Sequence, residues 1–142
     1  MDTEIKTIFI KDFNGGSESV AAEKIGDNTF RLLENPVLNC KINYGTVVGV
    51  AIDNDGRFIM TKIVRASNYK TRQFLLGSSV IEHDLMTKIG NPIIEAGGHW
   101  EIVMGGIAFI HTLKDSDFDI DALFKKNNYY PTEIVDDSNN CI

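Results

Sequence analysis

The stretch that decides the fold runs from residue 46 to residue 56 and reads Thr-Val-Val-Gly-Val-Ala-Ile-Asp-Asn-Asp-Gly. β-Branched residues dominate its first half, which is typical of a buried strand. The Asn54-Asp55-Gly56 sequence that follows is a strong signal for a tight hairpin turn. Residues 57–65 predict a second strand that runs back along the first. We therefore expect an antiparallel hairpin over residues 46–65.

Further strands are predicted before and after this hairpin. Residues 7–10 form a first strand, and residues 19–24 and 29–33 flank the turn cluster Gly26-Asp27-Asn28. Residues 72–76 predict another short strand. The chain thus builds most of its sheet from neighbouring segments, which favours antiparallel pairing.

One more hairpin is predicted near the C-terminal end, where residues 99–104 and 107–113 flank Gly105-Gly106. Two glycines tolerate the positive φ angles that a tight turn requires. Pairing outward from these glycines places His99 opposite Thr112. His111 is then expected on the other face of the strand, because side chains alternate along it.

A first helix is predicted from Ser79, which can form a capping box with Glu82. Apolar residues at a spacing of four then share one face. Gly90 is expected to end this helix, and Pro92 is expected to prevent its continuation.

A second helix is predicted from about residue 119 to residue 126. Asp117 or Ser116 is expected to cap its start, and Lys125-Lys126 lie at its negative C-terminal end. With these two helices the predicted fold class is α+β, a mostly antiparallel sheet of hairpins with two helices packed in the C-terminal half.

Length predicts one domain that spans residues 1–142. Within it we expect a β-rich part over 1–77, a helix–hairpin–helix part over 78–128 and a tail over 129–142. The weakest seam is predicted near Gly77-Ser78.

The net charge is −6, and it is unevenly distributed. Residues 115–142 contain seven acids and two bases, for a net charge of −5, so the preceding 114 residues are almost neutral. Such asymmetry can mark an interaction surface, and it is also what a solvated helix start followed by a tail would show. A nucleic-acid-binding role is disfavoured, because such surfaces need clustered Lys and Arg. The one basic stretch, with Tyr69 inside it, comprises Lys62, Arg65, Lys70 and Arg72.

We expect no signal peptide and no membrane span, since no apolar run approaches the length of either. Cys40 and Cys141 lie too far apart in sequence to form a disulfide framework or a redox pair. We therefore expect a reduced, cytoplasmic protein without a membrane partner.

Motifs for metal binding and catalysis are weak. The alternating Asp residues from Asp115 resemble the start of a calcium loop, but the position that needs Gly is Ile120 and the position that needs Glu is Lys126. No nucleophile elbow or phosphate-binding loop is present. The sequence therefore predicts no metal, no cofactor and no enzyme. A deep pocket at His83, His99 or His111 would instead favour a small-ligand binder or an enzyme.

One family resemblance extends from about residue 18 to residue 72. It rests on five segments: Glu18-Ser19-Val20-Ala21-Ala22-Glu23, Gly26-Asp27-Asn28-Thr29-Phe30-Arg31-Leu32, Asn35-Pro36, Gly45-Thr46-Val47-Val48 and Ser67-Asn68-Tyr69-Lys70-Thr71-Arg72. On these segments the chain resembles the bacterial domain-of-unknown-function family 4265. It departs from the family pattern at Ala21, Asn35-Pro36, Thr46 and Asn68. The shared motifs are turns and strand starts, and they carry no active site.

The resemblance implies a small immunity protein that binds and neutralises a cognate bacterial toxin, such as a nuclease, by occluding its active site. A regulatory or interaction module with a different protein partner is the alternative. The predicted partner-binding residues are carboxylates that would pair with Lys and Arg of the toxin, with two tyrosines as anchors. These residues are Asp115, Asp117, Asp119, Asp121, Tyr129, Tyr130, Glu133, Asp136 and Asp137. The sequence does not define an oligomeric state.

Overall fold

The computed structural model describes residues 3–11, 16–39, 41–77 and 85–134. These residues form two compact units, with the boundary between Asn68 and Tyr69. The boundary precedes the seam predicted near Gly77-Ser78, because the strand that starts at Tyr69 pairs with strands of the second unit. The prediction of a single domain over both units stays a prediction.

The first unit is a closed barrel of five strands joined in sequence order. The strands are β1 (Ile5–Lys11), β2 (Ser17–Gly26), β3 (Thr29–Leu32), β4 (Val47–Ile52) and β5 (Phe58–Arg65). Each pairs antiparallel with the next, and the hairpin signals predict two of these pairs, β2–β3 and β4–β5. Because the number of strands is odd, the first and last run in the same direction. They close the barrel through the parallel pairs Ile8↔Phe58 and Phe9↔Ile59.

Alternate side chains of these strands fill the interior of the barrel. The turns follow the sequence signals, since Asn28 and Gly56 both have positive φ, at 51° and 80°. The buried side chains that form this core are Ile8, Ile10, Val20, Ala22, Phe30, Leu32, Ile42, Val48 and Val50.

One carboxylate binds several backbone groups of the connection from β3 to β4. Glu18 of β2 accepts backbone N–H hydrogen bonds from Val37, Leu38 and Asn39, at 2.7, 2.8 and 3.1 Å. Three donors that the irregular backbone leaves without a strand partner are therefore satisfied by one side chain.

The second unit is a four-stranded sheet with two helices. Its elements are β6 (Tyr69–Leu75), α1 (Leu85–Glu95), β7 (His99–Val103), β8 (Ile107–Leu113), α2 (Ile120–Lys126) and β9 (Thr132–Ile134). The sheet order is β7-β8-β6-β9, and all neighbours are antiparallel. This succession is the split β-α-β arrangement of ferredoxin-like sheets. The predicted α+β class is confirmed.

Both helices of this unit pack against one face of the sheet. Ile89 and Ile93 of α1, with Ile120 and Phe124 of α2, are buried against sheet side chains that include Phe74. The ring of Phe74 meets that of Phe124 edge-on, with centroids 4.9 Å apart. None of the helices in the described ranges has the length and apolar run needed to cross a membrane.

The predicted end of the first helix is wrong, because α1 continues through Gly90 and Pro92 to Glu95. Gly90 is buried, and a Cβ added there would overlap the indole of Trp100 on β7, so this glycine permits close packing. The helix instead ends at Gly97, which has a φ of 86°. The N–H groups of Gly97 and Gly98 donate to carbonyls of the last turn, which is a Schellman motif. The predicted start at Ser79 and Glu82 lies outside the described residues.

The predicted pairing of the β7–β8 hairpin is wrong by one residue. The turn places Met104 and Gly105 at positive φ, with angles of 51° and 75°. Gly106 donates its N–H to the carbonyl of Val103. As a result His99 lies directly opposite His111 and not opposite Thr112.

The predicted tail is also corrected, because its first part belongs to the fold. Tyr129 packs against the core, with its ring edge-on to Phe124 at 5.8 Å. Thr132–Ile134 then forms the edge strand β9, which pairs with β6. The sequence does not reveal this strand because it is only three residues long. The rest of the predicted tail, from residue 135 on, lies outside the described residues.

Candidate functional site

Three of the predicted carboxylates lie on the connection between β8 and α2. We name Asp115, Asp117 and Asp119 the acidic loop. All three are exposed, and none forms an ion pair with another residue that the structure describes. The three negative charges lie within five residues of one another along the chain.

Short-range hydrogen bonds order the acidic loop. Ser116 donates its N–H to the carbonyl of Leu113 at 3.0 Å, and its hydroxyl accepts from the N–H of Phe118 at 3.1 Å. Asp119 is the N-cap of α2, where its Oδ1 accepts the N–H of Ala122 at 3.1 Å. The cap is therefore Asp119, and the expectation of Asp117 or Ser116 is wrong, since the helix starts one residue later than predicted.

Two further predicted carboxylates are bound by Arg72 of β6. Its guanidinium donates to both oxygens of Asp121 at 2.9 and 3.0 Å and to both oxygens of Glu133 at 2.8 Å. Hydrogen bonds from Arg72 hold the pKa values of both carboxyls below their ordinary values. These contacts tie β6 to α2 and β9. Asp121 and Glu133 thus have an internal partner, which the sequence does not indicate.

Replacing Arg72 with methionine is expected to lower the free energy of unfolding by about 1 kcal/mol at pH 7, discounted because both acids are largely exposed. The bound carboxyls have lowered pKa values when folded. Their contribution is therefore complete above the ordinary values of 3.8 and 4.5 and is lost as the pH falls through the folded values. Urea denaturation of both proteins between about pH 7 and pH 2.5 measures the difference.

A matched control is Arg65→Met, which removes an exposed arginine that has no ion pair among the described residues. Its effect should be small and independent of pH. An equally pH-independent loss in Arg72→Met would contradict the electrostatic explanation. The loss would then come from the contact of the guanidinium with the Phe74 ring, 5.1 Å from its centroid.

The two predicted anchor tyrosines have different surroundings. Tyr129 contributes to the core, as described above. The side chain of Tyr130 is 73% exposed, so it has area to offer a partner. Asp136 and Asp137, the last two predicted carboxylates, lie outside the described residues.

A second polar cluster lies on the sheet face opposite the helices. His111 is fully buried, and its Nδ1 lies 2.8 Å from the Thr71 hydroxyl. Its Nε2 lies 3.3 Å from the Glu101 carboxylate, which is 3.8 Å from Nε2 of His99. Burial, and to a lesser extent the neighbouring His111, lowers the pKa of His99. The sequence does not reveal this cluster, because the pairing predicted from it places the two histidines on opposite faces.

The two histidine rings of this cluster share one carboxylate oxygen. The His99 and His111 rings are stacked at an angle of 10°, with centroids 5.9 Å apart. Oε2 of Glu101 lies 3.8 Å from Nε2 of His99 and 3.3 Å from Nε2 of His111. Within the described ranges, no three His, Cys, Asp or Glu side chains are grouped to hold a metal. The hydroxyl, imidazole and carboxylate instead form a hydrogen-bonded chain that satisfies a buried histidine.

The basic stretch that could suggest nucleic-acid binding is divided between the two units. Lys62 and Arg65 lie in the barrel, and Lys70 and Arg72 lie in the second unit. Arg72 is engaged by two carboxylates, so it is not available to bind phosphate.

Comparisons with known proteins add the fold and no function. No family model matches the chain, and no curated protein matches it. A crystal structure of a hypothetical protein from Neisseria gonorrhoeae is similar, with a TM-score of 0.54 and 13% sequence identity. The similarity covers 90% of each chain. At 13% identity, this similarity shows a shared fold alone.

Proposed function

We propose that this protein is a non-catalytic binding protein that neutralises a cognate bacterial toxin by covering the toxin's active site. The observation that carries the proposal is the acidic loop, which presents three exposed carboxylates on an ordered connection. The resemblance to domain-of-unknown-function family 4265 supports the same role. The proposed site of action is the cytoplasm of the producing cell, and the proposed mechanism needs no cofactor.

The charge of the acidic loop suits a basic partner. Enzymes that cleave nucleic acids bind phosphates with Lys and Arg. Opposite charges on the two surfaces speed association and select the correct partner. Because hydrogen bonds already order this loop, binding would cost little conformational entropy.

Tyr130 can anchor the same interface. It follows the C-terminal end of α2, and Asp119 caps the other end of this helix. Seven helical residues span about 10 Å, so the tyrosine and the acidic loop fit within one standard interface of about 1,600 Å². Asp121 and Glu133, which Arg72 binds, are assigned a positioning role that holds α2 and β9 on the sheet.

The direct test combines the protein with the product of the neighbouring gene. We expect that product to be toxic when expressed alone and to be harmless and co-purified when this protein is present. Replacing Asp115, Asp117 and Asp119 together with asparagine should weaken binding about tenfold or more at low salt. The salt dependence of the dissociation constant should flatten as well. Asparagine keeps the N-cap at residue 119.

The matched control removes three exposed acids elsewhere: Asp27→Asn, Asp55→Asn and Glu95→Gln. It makes the same change in net charge and should leave affinity nearly unchanged. Equal affinity and salt dependence for the acidic-loop variant and the natural protein would overturn the proposed surface. If the product of the neighbouring gene binds through the acidic loop but is harmless when expressed alone, the result would favour a regulatory module over an immunity protein.

A further inference from the structure

The last part of β5 leaves one side of its backbone unpaired. β5 pairs with β4 from Phe58 to Arg65, but its parallel contact with β1 ends at Ile59. The backbone N–H and C=O groups of a strand point to the two neighbouring strands in turn. We name Met60–Arg65 the β5 edge. Its backbone groups that point away from β4 have no backbone partner among the residues that the structure describes.

The side chains of the β5 edge are accessible as well. Every residue from Thr61 to Arg65 is exposed, and the apolar side chains of Ile63 and Val64 are each 49% exposed. Thr61, Ile63 and Val64 are β-branched, a residue type that suits strand pairing. An accessible edge with such side chains is a template onto which another strand can add.

The charge of the β5 edge is positive. Lys62 and Arg65 are exposed, and neither forms an ion pair with another residue that the structure describes. Lys11 is a further exposed cation, which ends β1 two residues after its last contact with β5. Neither β4 nor β5 contains an Asp or a Glu. A strand that approaches this edge therefore meets cations that no acid of these two strands neutralises.

The same features protect the β5 edge from unwanted strands. Lysine side chains and β-bulges are common devices against edge-to-edge aggregation, and the pairing of β4 with β5 shifts twice along this stretch. Pairing with the same edge of a second copy would bring together the positive charges of Lys62 and Arg65 from both chains, which is unfavourable. An acidic strand meets no such repulsion, so the protection is selective for charge.

The composition of the β5 edge favours a polypeptide over a nucleic acid as the anionic partner. Single-stranded nucleic acids stack their bases on aromatic side chains, and Met60–Arg65 contains none. An extended peptide would gain main-chain hydrogen bonds, apolar contact with Ile63 and charge pairing with Lys62. We propose that the β5 edge binds an acidic, extended segment of a partner polypeptide, which adds to β5 as a further strand.

The test is a calorimetric titration of the full chain, at low salt, with a short peptide of alternating glutamate and valine. We expect saturable binding, with hydrogen-exchange protection confined to amides of the β5 edge. A peptide with glutamine in place of glutamate should bind about tenfold more weakly, because it loses the charge pairing. Absence of acidic-peptide binding up to about 1 mM, the weak end of specific recognition, would overturn the proposal. Equal binding of the two peptides would also overturn it.

Methylated peptides separate strand addition from simple charge attraction. An added strand uses one of its own two edges, so the N–H groups that bond to β5 belong to every second residue. Methylating these nitrogens should abolish binding, and methylating the alternate set should preserve it. If both methylated peptides bind as well as the unmodified one, charge attraction alone is responsible and the added strand is rejected.

A pair of substitutions assigns the binding to the β5 edge. Lys62→Gln together with Arg65→Gln should weaken acidic-peptide binding about tenfold at low salt. The matched control is Lys125→Gln together with Lys126→Gln, which removes two exposed cations from α2 and should bind as the natural protein does. Equal affinities of the two double variants would overturn the assignment.

Two other occupants of the β5 edge give distinct results. A single-stranded oligonucleotide that displaces the acidic peptide and protects the same amides would reject a polypeptide partner. Protection of these amides in a concentration-dependent dimer without peptide would assign the edge to a second copy. Either result would overturn the proposal.

Peptide binding at the β5 edge does not depend on the proposed toxin binding, because it uses the barrel and the opposite charge. If the acidic peptide does not bind while toxin affinity depends on the acidic loop, the β5 edge alone is rejected. If the peptide binds while the acidic-loop variant keeps its full toxin affinity, the acidic surface alone is rejected.

Discussion

Replacing Gly98 with alanine is expected to lower the free energy of unfolding by about 3 kcal/mol, at the upper end of the usual cost of overpacking. A Cβ at this position would lie 2.5 Å from the carbonyl oxygen of His111 and 3.0 Å from that of Ile93. Both atoms belong to the backbone, one in β8 and one in α1, so neither can rotate away. The helix and the sheet would have to separate, and the core between them would lose contacts.

The measurement is chemical denaturation of the variant beside Gly106→Ala. Gly106 lies in the same unit, and the nearest atom to a Cβ there is the carbonyl oxygen of Leu76 at 3.5 Å, an ordinary contact. This control should change stability by less than about 1 kcal/mol. Equal stabilities for the two alanine variants would contradict the close approach of α1 and β8 at Gly98.

The second large effect is expected for Glu18→Gln, which should lower the free energy of unfolding by about 2 kcal/mol. Glutamine keeps the size of the side chain but has one acceptor oxygen where Glu18 has two, and its NH₂ group would face backbone donors. Three N–H groups, from Val37, Leu38 and Asn39, now share the carboxylate. Hydrogen bonds to a charged acceptor contribute about 1.5–3 kcal/mol each when buried and less here, since this connection is largely exposed.

Glu34→Gln is the matched control for this prediction. Glu34 also accepts a backbone N–H of the barrel, but among the described residues it binds just one, that of Ala21 at 2.6 Å. Glu34→Gln should lower the free energy of unfolding by less than half as much as Glu18→Gln does. Hydrogen exchange at Val37, Leu38 and Asn39 gives a second readout, since these amides should exchange faster in Glu18→Gln alone. Unchanged exchange there would contradict the role of the carboxylate.

Local signals in the sequence predict most strands of the barrel. Asn54-Asp55-Gly56 and Gly26-Asp27-Asn28 mark turns whose backbone the structure reproduces, including the positive φ of Asn28. The residue pairing of the hairpin over 99–113 is harder to predict, because its turn uses Met104, and methionine rarely adopts a positive φ. Choosing the two glycines as the turn shifts the pairing by one residue, which turns every side chain to the other face.

The first helix shows a second limit of local sequence signals. Gly90 and Pro92 carry the ordinary signals for a helix end, yet the packing of Trp100 requires a glycine inside the helix. That requirement comes from a neighbouring strand, and no local pattern contains it. Tertiary contacts therefore override the propensity of these two residues.

The candidate site was predictable only where it is local. The acidic loop can be read directly from the alternating aspartates of residues 115–121. The ion pairs of Arg72 join residues 49 and 61 positions apart, and no spacing rule links them.

The parallel contact between β1 and β5 has a consequence for the order in which the barrel forms. Every other strand pair of the barrel joins neighbours in the chain, whereas Ile8 and Phe58 are fifty residues apart. Closing a loop of that length costs about 3.5 kcal/mol of chain entropy, and only two residue pairs offset it. The hairpins can assemble one upon another without this contact. We therefore expect the barrel to fold as an open, curled sheet whose two edges meet last.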